Sequence, residues 1–384
     1  MTYQAQNSAI ETVMELLSES GFSGMGEALQ ILFNEAMKCE RSRHLQAAPY
    51  ERHESRQGYA NGFKDKTVKT RLGSLTLAIP QVRDSSFYPQ ALERGLRSER
   101  ALKLALAEMY VQGVSTRKVA AITQELCGFD VSSAQVSQAS QLLDESLQQW
   151  RERPLGCFPY VYLDARYEKV RQGGCVVDCA VLIALGIDEQ GKRQILSVSA
   201  ALSEHEVHWR GFLQNLTERG LHGVRLITSD AHAGLKNARR AVFPSVPWQR
   251  CQFHLQQNAQ AHVPKQSLKG QVASDLKAVL TAANRAEAER LLTMTIHRYE
   301  KEAPALASWM AENIPEGLTV FDFPESHRRR LRTSNVLERV NREIKRRTSI
   351  ACLFPNPKAC ERLVTAVLVE IHEEWQAGKI YLTM

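Results

Sequence analysis

The sequence changes character after Pro154. FPYVYLDARY, GGCVVDCAVLIALGID and RQILSVSAAL are three apolar runs rich in β-branched and aromatic residues, and Asp188-Glu189-Gln190-Gly191 makes a turn between the second and third. The helical spacing of HEVHWRGFLQNLTERG follows, then the short apolar run VRLITSD, a helix from His232 to Val242, and a strand-like piece around Trp248 to Cys251. Three strands, helix, strand, helix, strand predicts a multidomain α/β chain whose mixed sheet starts antiparallel and is flanked by helices. This order restricts the fold more than composition does, since 43% apolar and 24% charged residues only mark a soluble globular chain.

The segments on either side have other patterns. Ile10, Val13, Met14 and Leu17, then Leu29, Leu32, Phe33 and Ala36, have the spacing of two amphipathic helices split by GFSGMG. Leu75, Leu77 and Ile79 alternate after the turn-like Leu72-Gly73-Ser74 and predict a hairpin; its other strand carries Lys66, Lys69 and Arg71, fit for DNA backbone or for plain exposure. Three helical stripes come next: Leu102, Leu106 and Met109; Val119, Ile122 and Leu126; and Val136, Ser140, Leu143 and Leu147. Ser115 and Ser132 or Ser133 stand where N-caps belong. In a helix-turn-helix the last helix would offer Gln135 and Gln138 to base edges, with Arg117 and Lys118 nearby; a generic three-helix bundle is the alternative. These patterns suggest segments at 1–50, 51–95, 96–153, 154–254, 255–324 and 325–384, the fifth Ala-, Leu- and Glu-rich with helical spacing.

Charge is unevenly spread. The 49 Lys+Arg against 42 Asp+Glu leave +7, no Lys or Arg precedes Lys38, and Ser326–Arg347 holds nine basic residues against two acidic ones. A polyanion such as double-stranded DNA is the partner this favours, with Arg328, Arg329, Arg330, Arg342, Lys345 and Arg346 as candidate contacts. The early segment lacks the basic start of a signal peptide, and the longest apolar run, CAVLIALGI, is too short for a bilayer, so a cytoplasmic protein without membrane contact is expected. Eight scattered cysteines without a CxxC pair suggest reduced thiols; Cys175 and Cys179, evenly spaced in a strand-like run, are expected in the core.

Two acids each end an apolar run: Asp164 after YVYL and Asp230 after RLITS. A carboxylate there costs free energy unless it is paired, solvated or bound to a cation, although Asp230 could also cap the His232 helix. Glu338 opens the basic helix, where it either pairs with Arg342 behind a Thr333 or Ser334 cap or serves as a third acid. Three carboxylates suit a pair of Mg2+ ions roughly 4 Å apart that act on a phosphodiester, with Mn2+ as a substitute. Lys345 lies two helical turns beyond Glu338 on the same face. Cys251 and His254 invite a zinc reading, but only His262 is near in sequence and a structural site needs four ligands. Ordering of a strand-to-helix join is the better reading, and His205 and His208 beside Trp209 are expected in helix packing.

VYLDARYEKVR, LITSDAHAGL, WQRCQFHLQQN and RTSNVLERVNREIKRR resemble the successive signature blocks of Mutator-type transposases encoded by bacterial insertion sequences. NGFKDKTVKTRLGSLTLAIPQVR and EMYVQGVSTRKVAAI are similar to blocks in that family's DNA-binding half, so the resemblance covers most of the chain. It implies a ribonuclease-H-like core interrupted by an all-helical insertion, a DDE triad at Asp164, Asp230 and Glu338, and a basic residue at Lys345. Cys251 and His254 match the family's C-x2-H element. It also implies binding to terminal inverted repeats, strand cleavage and strand transfer, in a homo-oligomer. A stand-alone nuclease of the same fold and a DNA-binding repressor with an inactive core are the alternatives.

Overall fold

The computed structural model describes residues 2–52, 54–83 and 86–384, and the chain divides after Leu142 into two compact units. In the first unit, α1 (Thr2–Ser20) and α2 (Met25–Leu45) are joined by a single 3-10 turn. Of the expected α1 stripe, Val13 is buried while Ile10 and Met14 face solvent. The hairpin forms as β1 (Ala60–Thr70) and β2 (Gly73–Val82), whose two-residue turn closes on Gly73 at φ +107, a left-handed conformation open to glycine. Leu75, Leu77 and Ile79 point inward onto Met37, Val68 and Leu92. α2 covers β2: Gln30 Oε1 accepts from the Thr76 N–H at 3.2 Å and Asn34 Oδ1 from that of Ala78 at 2.9 Å, so the strand's free edge is satisfied by side chains.

Three helices follow: α3 (Arg100–Val111), α4 (Thr116–Cys127) and α5 (Ser133–Ser140). Ser115 and Ser132 cap α4 and α5 as the sequence suggests, and Leu102, Leu106, Val119, Val136 and Ala139 make the core. Two expectations fail here. Leu126 is exposed, because α4 ends beside it at Gly128 in the left-handed conformation. The stripe from Val136 to Leu147 is not one helix: α5 stops at Ser140, and after a 3-10 turn α6 (Asp144–Glu152) starts in the second unit. There Arg362 holds Asp144, and tertiary partners override a continuous helical pattern.

The second unit holds a five-stranded sheet in the order β5-β4-β3-β6-β7. β3 (Tyr160–Gln172), β4 (Cys175–Ile187) and β5 (Arg193–Ala201) are antiparallel, while β6 (Leu226–Ser229) and β7 (Trp248–Arg250) run parallel to β3 after the crossover helices α7 (Glu206–Glu218) and α8 (Ala233–Val242). Gly234 lets α8 pass close to the backbone before α7; a Cβ there would lie 2.2 Å from the Glu204 carbonyl oxygen. Val161 and Leu163 of β3 join Leu182, Trp209, Phe212, Leu216, Ile227 and Leu235 in the core under α7 and α8. His205 and His208 are exposed rather than packed, with Trp209 alone turned inward. Cys179 is buried but Cys175 is exposed, since β3 and β4 extend beyond the rest of the sheet and their far ends lie outside the core.

Residues 252–313 are helical: α9 (Gln252–Gln260), α10 (Lys269–Leu280), α11 (Arg285–Tyr299) and α12 (Pro304–Asn313), packed through Leu255, Leu276, Leu280, Tyr299, Leu306 and Met310. Then α13 (Glu325–Leu331), α14 (Asn335–Ala351) and α15 (Pro357–Ala377) return to the sheet. Among the described residues no helix is long and apolar enough to cross a membrane.

Candidate active site

The alternation of β3 fixes the site. With Val161 and Leu163 turned toward α7 and α8, every second residue from Tyr160 points the other way and meets α13 or α14 in turn. The Tyr160 hydroxyl bonds His327 Nδ1 at 2.8 Å, the Tyr162 hydroxyl donates to the Arg330 carbonyl at 3.1 Å, and Asp164 Oδ2 accepts from Asn341 Nδ2 at 2.8 Å. Further along, Arg166 donates to the Asn341 carbonyl and Glu168 Oε1 accepts from Thr348 at 3.0 Å. Leu163 pairs with Ser229 in the parallel ladder, so Asp164 and Asp230, the next residue of each segment, emerge side by side.

Burial raises the Asp164 carboxyl to about 6; Asp230 pushes it further up, while the Ala165 N–H, His254 and Asn341 restrain it. Asp230 Oδ1 accepts from the Ala231 N–H at 2.7 Å and does not cap α8. His254 Nδ1 stands 3.9 Å from Asp230 Oδ1. The neighbouring Cys251 sulfur, then the charges of Asp230 and Asp164, raise His254 to about 9. Its Nδ1 makes no hydrogen bond of good geometry; the Cys251 sulfur, with the two acids adding to it, favours the imidazolium against burial.

Cys251 ends β7 and starts α9. Its sulfur accepts from both the N–H and the hydroxyl of Ser334 at 3.3 Å, and its own N–H donates to the Ser229 carbonyl. Burial pushes the thiol up, but hydrogen bonds from His254 and Ser334 outweigh it and leave it below its ordinary value. Cys251 thus ties the end of β6, the start of α9 and the start of α14 together. His262 stacks on Trp309, and among the described residues no third His, Cys, Asp or Glu completes a metal-holding group with the C-x2-H pair.

Glu338 lies in the first turn of α14, one turn before Asn341. Its Oε1 is shut off from solvent without a hydrogen-bond partner, so the pairing with Arg342 is not what satisfies it; Asn341 Oδ1 is in the same condition. Among the described residues no three His, Cys, Asp or Glu side chains converge tightly enough to hold one ion. The donor set still fits a divalent cation in kind: two adjacent carboxylates that repel each other, and a third with an orphaned buried oxygen.

The basic candidates divide. Arg329, Arg342 and Lys345 are exposed, as are Arg117, Lys118 and Gln138 in the first unit. Arg330 is exposed and stacks on Tyr381 at 4.5 Å. Arg328 instead donates to the carbonyls of Phe321, Phe323 and Ala283, and Arg346 is held by Glu343 at 2.6 and 2.9 Å. Gln135 Oε1 accepts from the Ser132 N–H and completes a capping box, so half of its amide is committed. On the hairpin, Lys66 donates to Tyr88, Lys69 to the Asp130 carbonyl, and Arg71 pairs with Glu99. Asn341 escaped sequence reasoning, and so did the role of Ser334, whose hydroxyl holds Cys251 instead of capping α14. Asn341 sits three residues after Glu338, a spacing that places both on one helix face and was legible; the partner of Ser334 lies 83 residues away and was not.

The description "Transposase, Mutator family" belongs to a family model that matches residues 2–378. The chain is 58% identical over 384 residues to the transposase for insertion sequence element IS406 of Burkholderia multivorans, covering 100% of this chain and 99% of that protein. It is 43% identical over 385 residues to the transposase for ISRM5 of Rhizobium meliloti, covering 100% and 96%. To the transposase for IS256 in transposon Tn4001 of Staphylococcus aureus it is 38% identical over 352 residues, covering 90% of each. A match of this length, with relatives this similar along their whole chains, means that the protein belongs to the Mutator family of transposases.

Proposed function

We propose that the protein binds the terminal inverted repeats of its own element and performs metal-dependent strand cleavage and strand transfer on a ribonuclease-H-like core, with Asp164, Asp230 and Glu338 as the DDE acids. The observation that carries this reading is the emergence of Asp164 and Asp230 side by side from β3 and β6, with Asn341, one turn past Glu338, bonded to Asp164. The sheet order, antiparallel through β5, β4 and β3 and parallel from β3 to β7, supports the core assignment, as does the position of the helical segment between Asp230 and Glu338.

Mg2+, or Mn2+ in its place, would activate a water or a 3′-hydroxyl and stabilise the leaving oxygen of a phosphodiester. Asp164 and Asp230 would hold the ion as carboxylates, with Glu338 as the third acid. His254, charged beside Asp230, offsets part of their repulsion. Arg329, Arg342 and Lys345 take DNA phosphates, while Arg117, Lys118 and Gln138 act in the three-helix region. Synapsis of two ends calls for a homo-oligomer, to which the exposed Ile10 and Met14 face of α1 is available.

The test supplies the DNA flanking the gene on a plasmid and compares wild type with Glu338→Gln for excised or circular element junctions. Junctions with wild type alone, and equal binding of the ends by both proteins, are expected. Soluble wild-type protein that binds the ends yet yields no junctions and no Mg2+- or Mn2+-dependent nicking would replace this reading with a DNA-binding protein whose core is inactive.

A further inference from the structure

We propose that Asn341 is a positioning residue of this site: its amide fixes Asp164 for a divalent cation, and its side-chain oxygen joins Glu338 Oε1 as an acceptor toward that cation's ligand shell. The inference rests on the reading of Asp164 and Asp230 as cation ligands. An ionised carboxylate only accepts hydrogen bonds, so the contact of 2.8 Å to Asp164 Oδ2 must be made by the Asn341 NH2 group. That orients the other half of the amide. Asn341 Oδ1 then lies on the same face of α14 as Glu338 Oε1, one turn away, and both are buried without a partner. A buried acceptor left unpaired costs free energy, and these two, on the helix face whose Asn341 amide is bonded to Asp164, are a polar lining suited to a charged, hydrated guest.

The backbone of Asn341 does separate work. Its carbonyl accepts from Arg166, whose other terminal nitrogen pairs with Glu168 at 2.6 Å, and this pins α14 to β3 without the Asn341 side chain. Asn341→Leu, close in size, therefore keeps the helix seated while removing both polar functions of the amide.

The experiment titrates Mn2+ into the purified full-length chain and follows the free-ion signal by electron paramagnetic resonance, with thermal unfolding as the control for folding. Wild type is expected to take up Mn2+, Asp164→Asn to lose uptake, and Asn341→Leu to bind at least about tenfold more weakly, as outer-shell partners of metal ligands do. Asn341→Gln, which keeps the amide, recovers part of the loss. Asn341→Leu with wild-type affinity overturns the positioning role and leaves the acid reading intact; wild type that takes up no Mn2+ overturns both. Asn341→Ser gives the same comparison should the leucine variant unfold.

Discussion

Asp164 pays in stability for its position. Its carboxyl is raised to about 6 from an ordinary 3.8, chiefly by burial. A raised folded-state value means that the stabilising contribution is complete below pH 3.8 and is lost as pH climbs through about 6; at neutral pH the charge strains the fold. Asp164→Asn, which still accepts from Asn341, is therefore expected to raise Tm by about 2–4 °C at pH 7.5 in the presence of a chelator, on the scale of 1 kcal/mol for a unit this size, while abolishing cleavage. An unchanged or lower Tm would show that the acid is well solvated. Positions were legible at Asp230, just after β6, and at Glu338, in the first turn of α14, whereas Asp164 follows the apolar run YVYL but lies within β3, which continues to Gln172. The role of Gln135 was also legible, since Ser132 three residues earlier spells a capping box. Arg328 was not, because the carbonyls it serves include Ala283, 45 residues away. Arg329→Ala is expected to weaken binding to cognate and random DNA alike and to reduce the salt slope by about 0.9 if it meets one phosphate. Arg328→Ala should instead lower Tm, and a reversal of these two results in binding and melting assays would undo the division between them.

The order of strands and helices from β3 to β7 could be read directly, because sheet and helix periods alternate cleanly there and turns separate them. The split of α5 from α6 could not, since it depends on where Arg362 and α15 lie. α15 also carries His372, whose ring meets Trp150 of α6 edge-on at 5.6 Å. Burial first, then the charge of Arg153, lower His372 to about 4. A depressed value makes the neutral ring part of the packing: its contribution is present above pH 6.5 and is lost as pH falls toward 4. Denaturant midpoints should decline across that window in wild type, and His372→Phe should flatten the decline. Parallel curves for the two proteins would remove His372 from the α6 contact.

Across the whole molecule, the uneven charge noted in the sequence resolves into two populations. One stays at the surface, including Arg329, Arg342 and Lys345; the other, with Arg328 and Arg347, is consumed by carbonyls and carboxylates inside the fold. Net charge alone could not separate them. The pairing of Asp164 with Asn341 spans 177 residues, and that separation acts in time as well as in space. A chain leaving the ribosome completes β3 and β6, with both aspartates, more than a hundred residues before α14 exists. Until then the two acids face each other without the Asn341 amide, and Cys251 lacks its bonds from Ser334. Any chain released early, whatever else of it has folded, therefore leaves Asp164 and Asp230 without the partner that α14 brings.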